Sequence, residues 1–92
     1  MGRAIRLTTK AQLQYEKLSV PLQKELARVF SAIAADPEGH TRHFTHGARL
    51  YDGCILAGGK NYYFQVLFGL PADDGAIDIL LIPPPTESSG PH

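Results

Sequence analysis

The sequence has little with which to cross-link or anchor itself. It holds one cysteine, Cys54, so no internal disulfide can form. That fits a reducing compartment and points to the cytoplasm. No apolar run approaches the ~18 residues that would suggest a membrane span. The stretch from Met1 to Lys10 is basic and polar with no apolar block behind it, so nothing there reads as a signal peptide. There are no internal repeats. No Lys or Arg follows Lys60, and the formal net charge is zero. A uniformly basic nucleic-acid binder is therefore excluded.

The charge is nevertheless uneven. Met1 to Phe30 carries six basic and two acidic residues, a net of +4, and Asn61 to His92 carries four acids and no Lys or Arg, a net of −4. Only the N-terminal half can offer a basic face, with Lys10 and Lys17 as candidate contacts to an RNA backbone. The alternative is that these are ordinary solvated charges.

A chain of 92 residues with 43% hydrophobic and 20% charged residues suits one globular domain. The apolar pattern divides it into a helical half and a strand half. Arg3 to Thr8 alternates around Ala4, Ile5 and Leu7, as a short strand or an extended arm would. Thr8 or Thr9 stands at a helix start, and Thr9 with Gln12 fits a capping box. Ala11, Tyr15 and Leu18 then share a helical face. Ser19-Val20-Pro21 breaks that helix and begins a second, whose stripe is Leu22, Leu26, Val29, Phe30 and Ile33. Asp36-Pro37-Glu38-Gly39 ends it.

Arg49 to Leu56 and Tyr62 to Phe68 are rich in β-favouring residues and flank Ala57-Gly58-Gly59-Lys60-Asn61, a natural hairpin connection. Asp52-Gly53 is a rival turn or a bulge. Leu70 to Gly75 reads as a loop, and Ile77 to Ile82 as a covered strand. Pro83-Pro84-Pro85 ends that strand, because proline donates no ladder hydrogen bond. Residues 1–85 form the predicted domain, and Thr86 to His92 a disordered tail. Helices followed by a strand meander predict an α+β fold: a two-helix hairpin packed on a small antiparallel sheet.

This order resembles the RelE/ParE superfamily of toxins from toxin–antitoxin systems. Lys17-Leu18-Ser19-Val20-Pro21-Leu22-Gln23-Lys24 and Ala35-Asp36-Pro37 are similar to the family's helical hairpin. Leu50-Tyr51-Asp52, Phe64-Gln65-Val66-Leu67-Phe68 and Ile77-Asp78-Ile79-Leu80-Leu81-Ile82 are similar to strands of the phage-derived, HigB-like branch. The likeness covers roughly Arg3 to Pro85. It implies a ribosome-dependent mRNA endoribonuclease that needs no metal or other cofactor and is neutralised by an antitoxin protein.

The departures fall on the basic residues that the related toxins use. Carried over by position, the family's strand arginines fall at Cys54 and Gln65, and its paired lysines within Pro83-Pro84-Pro85. None of these can supply a cation to a phosphoryl transition state, where losing one donor typically costs ~10²–10³ in rate. Either other residues serve, or the chain is a RelE-like binding module or homodimer that cuts no RNA.

The replacements at hand lie nearby. Arg49 and Lys60 flank the hairpin as candidate charge stabilisers, and His43 or His46 is a candidate general base. Tyr62 is a candidate base-stacking side chain, with strand alternation burying one of Tyr62 and Tyr63 and exposing the other. The plain alternative is that the histidines are solvated loop residues and the cations surface charge. His40, His43 and His46 share a three-residue spacing, but no supporting shell accompanies them, and no metal is expected. Cys54, beside Ile55, is expected to be a buried small hydrophobe.

Overall fold

The computed structural model describes residues 4–39, 41–45, 47–69 and 75–87. Its elements are β1 (Ile5–Leu7), α1 (Thr9–Glu16), α2 (Val20–Ala35), β2 (Arg42–Thr45), β3 (Ala48–Ala57), β4 (Lys60–Gly69), β5 (Ile77–Leu81) and β6 (Thr86–Glu87). The sheet runs β1-β5-β4-β3-β2, with β6 also on β4. The expected α+β architecture is present: a helical hairpin on one face of the sheet. The sheet is antiparallel except at one edge, where β1 pairs in parallel with β5. Among the described residues no helix is long and apolar enough to cross a membrane.

The core forms because a helical period and a strand period meet. On α2, Leu22, Leu26, Val29 and Ile33 recur on one side and are buried. On β4, Phe64, Val66 and Phe68 point to the same side of the sheet, joined by Ile77 and Ile79 of β5 and by Ile55 of β3. Burying each such side chain contributes about 1.5–3 kcal/mol. Tyr15 and Gln23 then lock the two helices together. The Tyr15 hydroxyl donates to the Gln23 carbonyl at 3.2 Å, and the Gln23 amide donates to the Tyr15 carbonyl at 3.0 Å.

Thr8, not Thr9, caps α1. Its hydroxyl oxygen accepts from the Ala11 N–H at 3.2 Å, and the hydroxyl donates to the Leu80 carbonyl at 3.2 Å. Its own N–H donates to the Ile79 carbonyl at 3.0 Å. One residue thus ends β1, starts α1 and ties both to β5. The expected Thr9–Gln12 box is absent, and the Gln12 amide donates instead to Glu16.

The hairpin between β3 and β4 is tighter than the five-residue connection expected. Only Gly58 and Gly59 turn, with φ of +59° and +79°, the left-handed pair that a two-residue hairpin requires. Asp52-Gly53 is neither turn nor bulge. Both sit inside an unbroken ladder, Asp52 opposite Gln65 and Gly53 opposite Phe64. The Tyr51 ring lies over Gly53 and reaches the Phe64 ring at 5.8 Å.

Three further expectations change. The segment before Arg49 is not all loop, because Arg42–Thr45 pairs with β3 as an edge strand, with a register shift between His43 and Thr45. The predicted tail begins later than Thr86. β4 is longer than β5 can cover, so Thr86 and Glu87 resume the ladder opposite Tyr63 and Tyr62. The prolines between β5 and β6 interrupt it, and Gln14 Oε1 accepts the Ile82 N–H at 2.6 Å where strand pairing stops. Cys54 is exposed, because β3 turns it to the face that the helices leave uncovered. Residues 70–74 and 88–92, and with them most of the predicted loop and tail, lie outside the described residues.

Leu26 is 2% exposed between α2 and the sheet. Leu26→Ala should lower unfolding free energy by about 2–5 kcal/mol, measured by urea denaturation monitored by circular dichroism.

Candidate functional site on the open sheet face

Directly paired residues of an antiparallel ladder share a face. The β3–β4 register therefore sorts the side chains. Tyr51, Gly53, Ile55, Tyr62, Phe64 and Val66 face the helices. Leu50, Asp52, Cys54, Leu56, Asn61, Tyr63, Gln65 and Leu67 face the other way. Arg42 joins this open face because it pairs with Leu50.

The basic residues expected to act together are separated. Arg49 pairs with Phe68 near one end of the hairpin ladder, and Lys60 pairs with Ala57 at the other. The eight steps from Arg49 to Ala57 span roughly 26 Å of strand. Each also has a local partner. Arg49 Nε donates to Thr41 Oγ1 at 2.8 Å and Nη2 to the Thr41 carbonyl at 2.9 Å, so its guanidinium holds the segment that follows α2. The Thr41 hydroxyl in turn donates to the Pro37 carbonyl at 2.6 Å. Lys60 Nζ lies 3.4 Å from Glu87.

His43 is exposed on β2, in register with Arg49 and on the helix side of the sheet. His40 and His46 lie outside the described residues. Tyr62 is half-buried against the core, because it shares the face of Phe64 and Val66. The exposed tyrosine is Tyr63, 40% accessible. Lys10 is exposed on α1 and Lys17 is exposed at its C-cap, about 10 Å further along the axis. They sit on the helix layer, across the sheet from its open face.

The open face holds a cluster that sequence reading did not assemble. Arg42 Nη2 donates to Asp52 Oδ2 at 2.8 Å, and the Tyr63 hydroxyl donates to the same oxygen at 3.2 Å. Gln65 Nε2 donates to the Tyr63 hydroxyl oxygen at 3.3 Å. Cys54 pairs with Tyr63, and Leu56, 65% exposed, lies diagonal to it. Strand alternation carried the signal: once Phe64, Val66 and Phe68 are assigned to the core, Tyr63 and Gln65 must face away. Arg42 was hidden by reading β2 as loop, and Asp52 by reading Asp52-Gly53 as a turn.

Acids partner most cations of the sheet. Arg6 forms a two-bond pair with Asp78 at 2.8 and 3.3 Å, Arg42 pairs with Asp52, and Lys60 with Glu87. Among the described residues, Lys10, Lys17 and Lys24 on the helix layer have no acidic partner, and neither has Arg49 of β3, which bonds only Thr41. An apolar slot of only about 10 Å³ opens between Leu18, Leu22, Ile55, Phe64, Ile82 and Pro85. That is below the ~300 Å³ at which small-ligand pockets begin.

No protein-family model matches the sequence, and no curated protein matches it. The fold does have a solved counterpart. The structure of a double mutant of the E. coli toxin RelE in the free state superposes with a TM-score of 0.67. The match covers 89% of this chain and 82% of that one, at 10% sequence identity. The chain therefore has a RelE-like fold. The likeness is one of fold alone, since one residue in ten is shared.

Arg49 makes its two bonds through a planar fork that lysine cannot reproduce. Arg49→Ala should lower stability by about 1–3 kcal/mol, and Arg49→Lys should recover little of it in urea unfolding. A catalytic role alone would leave both stabilities unchanged.

Proposed function

We propose that this chain is the toxin-type member of a toxin–antitoxin pair and acts on RNA from the open face of its sheet. The observation that carries the reading is the RelE-like fold, shared over 89% of the chain with a structure described as a toxin. The resemblance to the HigB-like branch makes the target messenger RNA on the ribosome, the setting the cytoplasm and the partner an antitoxin protein. The open face supports the same reading from the residues. Cys54 and Gln65, where the resemblance would put arginines, both lie there, in register with Tyr63 and Asp52. Lys10 and Lys17 face away from this cluster. They serve a separate contact with a large RNA body, not the strand bound at the open face.

A second reading has its own observation. Arg6, Arg42 and Lys60 are all neutralised by acids, so the sheet offers little free positive charge for a phosphate backbone. A RelE-like scaffold working through protein contacts needs none. Self-association through β2 belongs here, since that strand is exposed along its length at a sheet edge.

Induction in a bacterial host separates the two. The toxin reading expects growth arrest, relieved by the cognate antitoxin, and arrest of translation in an extract to which purified protein is added. Harmless expression together with intact mRNA on translating ribosomes would overturn it in favour of the binding module. If charge-driven self-association underlies that module, light scattering should show the dimer weakening between low and high salt.

A further inference from the structure

We propose that two copies of this chain pair their β2 strands antiparallel about a two-fold axis, with Phe44 as the anchor of the contact. This deepens the reading of the chain as a scaffold that works through protein contacts, and it names the partner as a second copy.

A strand at the margin of a sheet leaves half of its backbone N–H and C=O groups without a ladder partner. The sheet has two such margins, β1 and β2. β1 has three residues, two of them half-buried, and Thr8 turns the chain straight from it into α1. Its exposed residue, Arg6, is spent on Asp78 at 2.8 Å. β2 differs. All four of its residues are exposed, and β3 pairs with it on one side only.

The residues of β2 do not protect that margin. Edges that stay single are blunted by a proline, by a charged side chain, or by a bulge that breaks the pairing. No proline lies between Thr41 and Ala48. A bulge is present: Arg42 pairs with Leu50, His43 with Arg49 and Thr45 with Ala48, so Phe44 is the extra residue with no partner on β3. A bulge re-aims the side chain that it carries. Here that side chain is an aromatic ring, 56% exposed and outside the core cluster. The ring gives the monomer no packing, and aromatic rings are the side chains on which interface centres are built.

Charge favours a second copy as the occupant. The formal net charge is zero, so two copies meet without long-range repulsion. Arg42, the permanent charge of β2, is neutralised by Asp52 of its own chain at 2.8 Å. Pairing two β2 strands therefore sets no free like charges opposite each other. A two-fold contact is also closed, because the same edge serves both copies and the assembly stops at two. In the register centred on Phe44, each ring lies opposite Phe44 of the other copy, and His43 lies opposite Thr45 of the other copy. Directly opposed residues hold their Cβ atoms about 5 Å apart, within reach for two rings. The axis runs along the sheet normal, so both helix layers share one side and both open faces the other. β2 is short, so the contact is small and the dimer reversible.

The test uses the purified full-length chain in sedimentation equilibrium over a range of concentrations. Mass should rise from one chain toward two as concentration rises. The rise should be the same at low and high salt, because backbone bonds and rings hold the pair. A dimer that salt dissolves is charge-driven and overturns pairing through β2. Phe44→Asp should raise the dissociation constant about tenfold or more, the loss expected when an interface anchor is removed. Its thermal unfolding should match wild type at concentrations where both are monomeric. A cross-link locates the axis. In a Cys54→Ser chain, Phe44→Cys should form disulfide-linked dimers under mild oxidation, because opposed strand positions meet the geometry of a disulfide. Leu13→Cys in the same background, at a side chain 54% exposed on α1, should not. A dimer untouched by Phe44→Asp, or equal cross-linking at the two cysteines, overturns the proposal. So does a chain that is monomeric at every concentration, which leaves this edge to a strand of another protein. The scaffold reading fails on a different result, growth arrest on induction, so the two failures are told apart.

Discussion

The alternation of β4 governs this molecule. Its ten residues are long enough to pair with β3 along their whole length and with β5 and β6 in turn. Phe64, Val66 and Phe68 face the helices, where with Ile55, Ile77 and Ile79 they form the apolar surface that covers Leu22, Leu26 and Ile33. A strand has a period of two, so this placement also fixes the intervening residues. Tyr63 and Gln65 face away because their neighbours are core, and a one-residue slip would exchange the two sets. Core and candidate site are therefore two sides of one register.

The second constraint is one-sided coverage. Two helices suffice for one face of the sheet, and the other is left to polar and mixed side chains. Pairing there joins Arg6 with Asp78 and Arg42 with Asp52, while Lys60 meets Glu87 on the helix side of the sheet. Exposed pairs of this kind contribute only about 0–1 kcal/mol each. Their larger effect is on the electrostatic character of the face. They cancel the charge of Arg6, Arg42 and Lys60 and leave Arg49 and the lysines of the helix layer without an acid. The +4 N-terminal segment and −4 C-terminal third are thus not two charged ends, since Arg6 from the first already meets Asp78 from the second.

What could be read from the residues in order follows from this. The stripe of α2, the Gly58-Gly59 turn and the strand from Ile77 are local signals, and each stands where the pattern puts it. Features that depend on distant partners were illegible. The short strand before the helices was legible in its alternation, but its parallel pairing with Ile77 to Ile79 was not. β2 is a strand because β3 has a free edge. Thr86 and Glu87 are ordered because β4 outruns β5. Cys54 illustrates the limit well. Its apolar neighbour suggested burial, but in a strand a neighbour in sequence lies on the opposite face, and buried Ile55 implies the exposure of Cys54. Arg49 and Lys60 looked like a pair because they bracket one hairpin, yet they sit at opposite ends of its ladder.

The same geometry reframes the missing cations. The resemblance to the toxins leads to the expectation of basic residues at a phosphoryl group. Here Cys54 and Gln65 cannot supply that charge, and Pro83-Pro84-Pro85 serves instead to break the ladder between β5 and β6. A site that lacked cations and had nothing in their place would be an inert surface. The open face is not bare, because Asp52, Tyr63, Gln65 and Arg42 occupy it in one directed chain of hydrogen bonds. Asp52 faces outward because strand alternation turns Tyr51 and Gly53 toward the helices, so the neutralisation of Arg42 on this face follows from the register of β3.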